Sequence, residues 1–97
     1  MSITAFLDLT ISADAAAEAP EVLRSVLAAT RAFAGNEGVE VLVDADDPTH
    51  IVVVEKWESL AHDEAYRAWR ATPAGASTLG SILGAVPTLT KFEDTGI

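Results

Sequence analysis

Trp57, His62, Tyr66 and Trp69 fall in one short stretch, VVVEKWESLAHDEAYRAWRATP (52–73), which carries three of the six Phe, Trp and Tyr residues of the chain. Aromatic walls suit a flat, apolar ligand, because offset stacking adds about 0.5–1.5 kcal/mol per pair beyond area burial. The Tyr66 hydroxyl can hydrogen-bond a phenol or carbonyl of such a ligand. His62 falls in the first turn of a helix, whose positive end favours a neutral imidazole able to act as a base. Glu55 shares a strand face with Ile51, Val53 and Trp57, and a carboxylate among such neighbours needs a partner or a proton. Lys91 on a neighbouring strand is the expected partner; without it Glu55 becomes a polar group in a cavity. Each residue also has a plainer reading: Trp57 and Trp69 as core, and His62 and Tyr66 at a solvated helix edge.

These residues depend on the helix that follows Trp57. At about 100° per residue, Ala61, Ala65, Ala68, Trp69 and Thr72 share one arc, with His62 and Tyr66 on its flank. Asp63, Glu64, Arg67 and Arg70 point away, and Asp63–Arg67 makes an i,i+4 surface pair. Three inward alanines let this helix approach the sheet closely, or leave a hollow walled by Trp57, His62, Tyr66 and Trp69.

The elements that must hold this helix are legible from periodicity. Ile3 to Ile11 alternates apolar and polar residues as a strand does, with Phe6 on the second face. Asp14 can cap an alanine-rich first turn, and Pro20 either kinks that helix or starts it. Val22, Leu23, Val26, Leu27, Thr30 and Phe33 then form one helical stripe, closed at Gly35. Val39–Asp44 and His50–Glu58 read as a hairpin around Asp46-Asp47-Pro48-Thr49. Ser59 caps the second helix, which runs to about Thr72, with Pro73 closing it. Residues 74–84 suggest a short helix weakened by Gly75, Gly80 and Gly84, and Val86–Glu93 is a last strand. The order β-α-β-β-α-(α)-β predicts an α+β, ferredoxin-like βαββαβ fold: a four-stranded antiparallel sheet with helices on one face. Phe6 and Leu42 sit on the face the helices need not cover, where a second copy packed sheet to sheet would bury them.

Composition bounds the rest. With 97 residues, one domain is expected, spanning 1–97. Fifteen acids against six scattered bases, net −9, argue against nucleic acid and anionic membrane as partners. No cysteine means no disulfide frame or thiolate metal site. His50 and His62 make no recognisable metal spacing. No stretch reads as a signal peptide or membrane span, so a cytoplasmic location is expected. No GxGxxG, P-loop, nucleophile elbow or HExxH is present.

The segment TRAFAGNEGVEVLVDADDPTHIVVVEKWES (30–59), followed by an amphipathic helix, resembles the antibiotic biosynthesis monooxygenase (ABM) family along nearly the whole chain. The resemblance implies a dimeric α+β barrel of ferredoxin-like subunits. It also implies oxidation of phenolic intermediates to quinones by molecular oxygen without flavin, haem or metal, the substrate anion supplying the electrons. Trp57, Tyr66 and Trp69 carry over as cleft residues, and Arg70 weakly. Many members have a histidine about nine residues after the strand tryptophan; that position here is Tyr66. The haem-degrading branch pairs such a histidine with an asparagine on the first strand, and the only asparagine here is Asn36. Haem degradation is therefore not expected.

Two functions follow as expectations. In the first, a cofactor-independent monooxygenase acts on a phenol or hydroquinone, polyketide-like or a small quinol. Tyr66 and Trp57 orient the ring, His62 or Glu55 removes its proton, and Trp69 and Arg70 contact the substrate. In the second, a non-catalytic homodimeric module binds a small aromatic or apolar molecule or supports another enzyme.

Overall fold

A computed structural model describes residues 1–97. Four strands, β1 (Ile3–Thr10), β2 (Asn36–Asp44), β3 (Asp47–Trp57) and β4 (Thr88–Glu93), form one sheet in the order β2-β3-β1-β4. Every neighbouring pair is antiparallel. Two helices, α1 (Ala19–Ala32) and α2 (Leu60–Arg70), connect them in the βαββαβ order expected from the sequence.

Register decides which side chains meet. Ala5 pairs with Glu55 on one side and Lys91 on the other, so these three cross the sheet in a row. Leu7 stands opposite Val53, and Val53 opposite Val41. The helix-facing side holds a core of Leu9, Ile11, Leu23, Leu27, Val53 and Ile82. Beside it lies a second core of Ile3, Ala5, Trp57 and Tyr66, with Phe33 and Trp69 packed against it.

Several local expectations shift. Asp14 caps no helix: Ala13–Ala15 is a single 3-10 turn, and α1 starts at Ala19 with Pro20 in its first turn, where a missing N–H costs nothing. Ile11 leaves the ladder and bridges to Leu83. The hairpin turns at Ala45–Asp46, two residues before the expected Pro48, because Asp44 Oδ1 accepts from the Asp46 N–H and Asp47 Oδ1 from the Thr49 N–H. Residues 74–84 hold no α-helix. Two 3-10 turns, Pro73–Gly75 and Leu79–Ile82, carry the chain across, the second burying Ile82. Gly75 is required there, since a Cβ would overlap the Trp69 carbonyl oxygen. No helix is long and apolar enough to cross a membrane.

Candidate functional site

Ser59 starts α2 as expected: its Oγ accepts from the backbone N–H of His62 at 3.2 Å. The face that α2 turns to the sheet is the opposite of the one its wheel suggests. Asp63 and Tyr66 are buried and Arg67 is partly buried, while Ala61, Ala65 and Ala68 are exposed. The bulky arc goes inward because the Tyr66 ring and the arginine stems remove far more apolar area from water than alanines do. The charges they bring are satisfied by groups from other elements, which a helical wheel cannot display.

Those groups form a continuous network. Arg67 donates to Glu55 Oε1 at 2.7 Å and to Asp63 Oδ2 at 3.1 Å. Lys91 pairs with Asp63 Oδ1 at 2.5 Å, not with Glu55 as the sequence suggested. Lys91 and Glu55 stand two strands apart on the same row, and Asp63 comes down onto Lys91 from the helix. Burial works against the Arg67 charge, but the Glu55 and Asp63 carboxylates outweigh it and raise its pKa further, so Arg67 stays cationic. Glu55 is 1% exposed, and its Oε1 also accepts from Trp57 Nε1 at 3.1 Å. Its Oε2 has no hydrogen-bond partner.

A second buried node sits beside the first. The Tyr66 hydroxyl lies 2.7 Å from Thr30 Oγ1 and accepts from Arg70 Nε at 2.7 Å. Arg70 also donates to the carbonyls of Val26 and Gly75, at 2.8 and 3.2 Å, and so ties α2 to α1 and to the turn after it. Both guanidiniums lie within 5.2 Å of the Tyr66 ring centroid, within the range of cation–π attraction.

Glu55, Tyr66, Arg67 and Arg70 line an inner cavity of about 160 Å³ between α1, α2 and the sheet. Leu7, Leu9, Val26, Val53 and Leu79 supply apolar walls. Of the residues singled out from sequence, this cavity gathers Glu55, Tyr66 and Arg70. Three others are placed elsewhere. Trp57 is fully buried under Phe33 and Tyr66, their ring centroids 6.2 and 4.8 Å away, and serves the core. Trp69 packs on Phe33 and carries the Arg70 guanidinium over its ring. His62 faces away: its Nδ1 lies 2.7 Å from Ser59 Oγ, and its ring covers Gly35, outside the residues that line the cavity. Arg67 and Thr30 are the participants the sequence reading missed. The one available signal was the size contrast on α2, where Tyr66, Arg67 and Arg70 lie together off the arc that holds all three alanines.

No group of three or more His, Cys, Asp or Glu side chains is placed to hold a metal ion. His50 lies between two carboxylates, with Nδ1 2.7 Å from Asp44 and Nε2 2.7 Å from Asp8, at one end of the open sheet face. Its pKa is raised by the hydrogen bond to Asp44 first and the one to Asp8 second.

The family model described as antibiotic biosynthesis monooxygenase matches residues 2–77. The chain belongs to this family. Among solved structures, ABM fold relatives superpose over almost the entire chain. A proposed antibiotic biosynthesis monooxygenase from Deinococcus radiodurans is 23% identical, with 96% of this chain and 92% of that one covered and a TM-score of 0.79. SnoaB, a cofactor-independent oxygenase from Streptomyces nogalater, is 18% identical, with 96% and 92% covered and a TM-score of 0.80. Rv0793 from Mycobacterium tuberculosis is 17% identical, with 98% and 96% covered and a TM-score of 0.79. At these identities the likeness establishes the ABM fold. No curated protein sequence matches the chain.

Proposed function

We propose that this ABM protein is an oxygenase that converts a small phenol or hydroquinone to a quinone in the inner cavity. The observation that carries the reading is Glu55, buried and the one carboxylate lining the cavity, with one of its oxygens lacking a partner. A buried acceptor left unpaired is costly, and a substrate hydroxyl supplies the missing donor. Glu55 then takes the phenolic proton, and the electron-rich anion reacts with oxygen. For a phenol with a free ring position, one oxygen atom becomes the new carbonyl and the other leaves as water, the substrate supplying all four electrons. A hydroquinone gives up two electrons and two protons to become its quinone, and oxygen leaves as hydrogen peroxide. Arg67 and Arg70 hold positive charge beside the developing anion.

Cavity size narrows the substrate. A cavity of about 150 Å³ holds one benzene ring, and this one measures about 160 Å³. That volume suits a single-ring diol, so of the two substrate options the proposal takes the small quinol over the polyketide-like phenol. SnoaB, which is described as a cofactor-independent oxygenase, supports the reaction class by analogy of fold.

The working unit of this proposal is a homodimer. The sheet face away from the helices exposes Phe6, Leu42 and Phe92, with Phe6 and Phe92 in an edge-to-face pair at 5.5 Å. Apolar area of this kind is suited to a second copy packed sheet to sheet.

One observation favours the second reading, a binding module without chemistry: Arg70 and the Tyr66 hydroxyl are already engaged by protein groups. Oxygen uptake by metal-free protein separates the two. Uptake proportional to protein, with benzoquinone formed from hydroquinones or substituted phenols above the spontaneous rate, supports the oxygenase. Saturable binding of unchanged ligand with no uptake would move the assignment to the module.

A further inference from the structure

A larger recess lies on the other flank of α1 from the inner cavity. It is a cleft of about 460 Å³ between α1 and the β2–β3 hairpin, within the size range of small-molecule sites, which is roughly 300–1,000 Å³. Leu23 and Leu27 line both spaces, so their side chains form the wall between them. Ala16 and Ala19 face the cleft where longer side chains would close it. Val41, on the helix-facing side of β2, also lines the cleft and is 42% exposed.

Its lip is basic in a chain of net charge −9. Arg24 and Arg31, two of only six basic residues, both line the cleft. Seven residues apart on one helix, they stand two turns or about 10 Å from each other on the same face. Arg24 uses one terminal nitrogen on Glu21, and Arg31 uses one on the Val39 carbonyl. A guanidinium has five N–H donors, so both retain donors for a further acceptor.

We propose that this cleft binds an amphipathic organic anion, its elongated apolar body against Leu27, Val41 and Ile51 and its carboxylate or sulfonate held by Arg24 and Arg31. The two requirements come from different residues and can be tested separately. The site is independent of the oxygenase chemistry and stands whether or not the inner cavity turns over substrate.

The test is calorimetric titration of the whole protein with decanoate and decyltrimethylammonium, each below its micellar concentration, and with decanol below its solubility limit. The expected result is one saturable decanoate event per chain, with decanol and the cation at least about tenfold weaker. Arg24→Gln with Arg31→Gln should weaken decanoate by a similar factor and leave decanol unchanged. Ala16→Trp, at an exposed position, should fill the cleft and abolish binding, while Leu42→Asp on the opposite sheet face should not alter it. Equal binding of decanol and decanoate overturns the anion assignment, as does full decanoate affinity in the double arginine variant. Full affinity in a folded Ala16→Trp protein would place the ligand elsewhere. Loss of binding as protein concentration rises would assign the cleft to a second copy of the chain and overturn the proposal.

Discussion

Arg67 reaches from α2 to the sheet and donates to Glu55 Oε1 at 2.7 Å, so the only carboxylate lining the inner cavity is held by a cation from the helix above it. This relationship fixes the rotation of α2, since turning its alanines inward would strand Glu55 and Lys91 on the sheet without partners. It also leaves Glu55 with one oxygen bound and one free. Because Arg67 spans Glu55 and Asp63, removing it alone leaves buried charge uncompensated. Arg67→Met should lose about 3–5 kcal/mol of stability in urea unfolding. Glu55→Leu combined with Arg67→Met should lose clearly less than the two single losses added together, because the stranded charge goes with its partner. Strict additivity would show that the pair is not coupled.

Glu55→Gln keeps an acceptor for Arg67 and removes the base. If the oxygenase proposal holds, oxygen uptake falls by about 10²–10⁴-fold while a single-ring diol still binds. Turnover that survives this change would remove Glu55 from the chemistry.

His50 is held between two carboxylates, Asp44 and Asp8. Its pKa is raised from 6.5 by Asp44 and Asp8, and that of Asp44 is lowered from 3.8, first by the His50 hydrogen bond. A raised histidine pKa gives stability that is fully present below the unfolded value and lost as pH rises through the folded one; the lowered Asp44 value gives stability lost as acid protonates it. His50→Gln should therefore lower Tm most between pH 3.8 and 6.5. The gap should narrow as pH rises above that window. A Tm difference constant from pH 4 to pH 9 would contradict the ion-pair assignment.

Gly35 has φ 86°, and a Cβ there would overlap the His62 ring. Gly35→Ala should lose about 2 kcal/mol or more, from the left-handed backbone and the collision together. Adding His62→Ala should recover only the share of the collision that the ring makes, because the Cβ of residue 62 stays in the way. His62→Ala alone should leave oxygen uptake unchanged, since the side chain packs on Gly35 and Ser59 outside the cavity.

Leu42 is 49% exposed on the face without helices. If the dimer proposal holds, Leu42→Asp places a charge where the second sheet packs, and sedimentation should report a dimer for the parent chain and a monomer for the variant. A parent chain that sediments as a monomer at all concentrations would end the dimer proposal.

Strand alternation, the helical stripe from Val22 to Phe33 and the Ser59 cap were all legible because each is a local pattern with its own period or hydrogen bond. They were enough to predict the α+β architecture, and the ordered combination of turn, hairpin and Glu-x-Trp-Glu-Ser pointed to the ABM family. Candidate-site residues were legible by type and less so by place. Glu55, Tyr66 and Arg70 do meet in one cavity, whereas Trp57, Trp69 and His62 belong to packing and to a helix start.

By itself the sequence determined which segments are strands and helices, and that a carboxylate, a phenol and several aromatic rings would gather near α2. Only the tertiary structure decided which arc of α2 faces the sheet. A wheel scores charge as outward and alanine as inward, residue by residue. The energy of burying Asp63 and Arg67 depends on Glu55 and Lys91, which lie on two other strands and reach α2 only through sheet register.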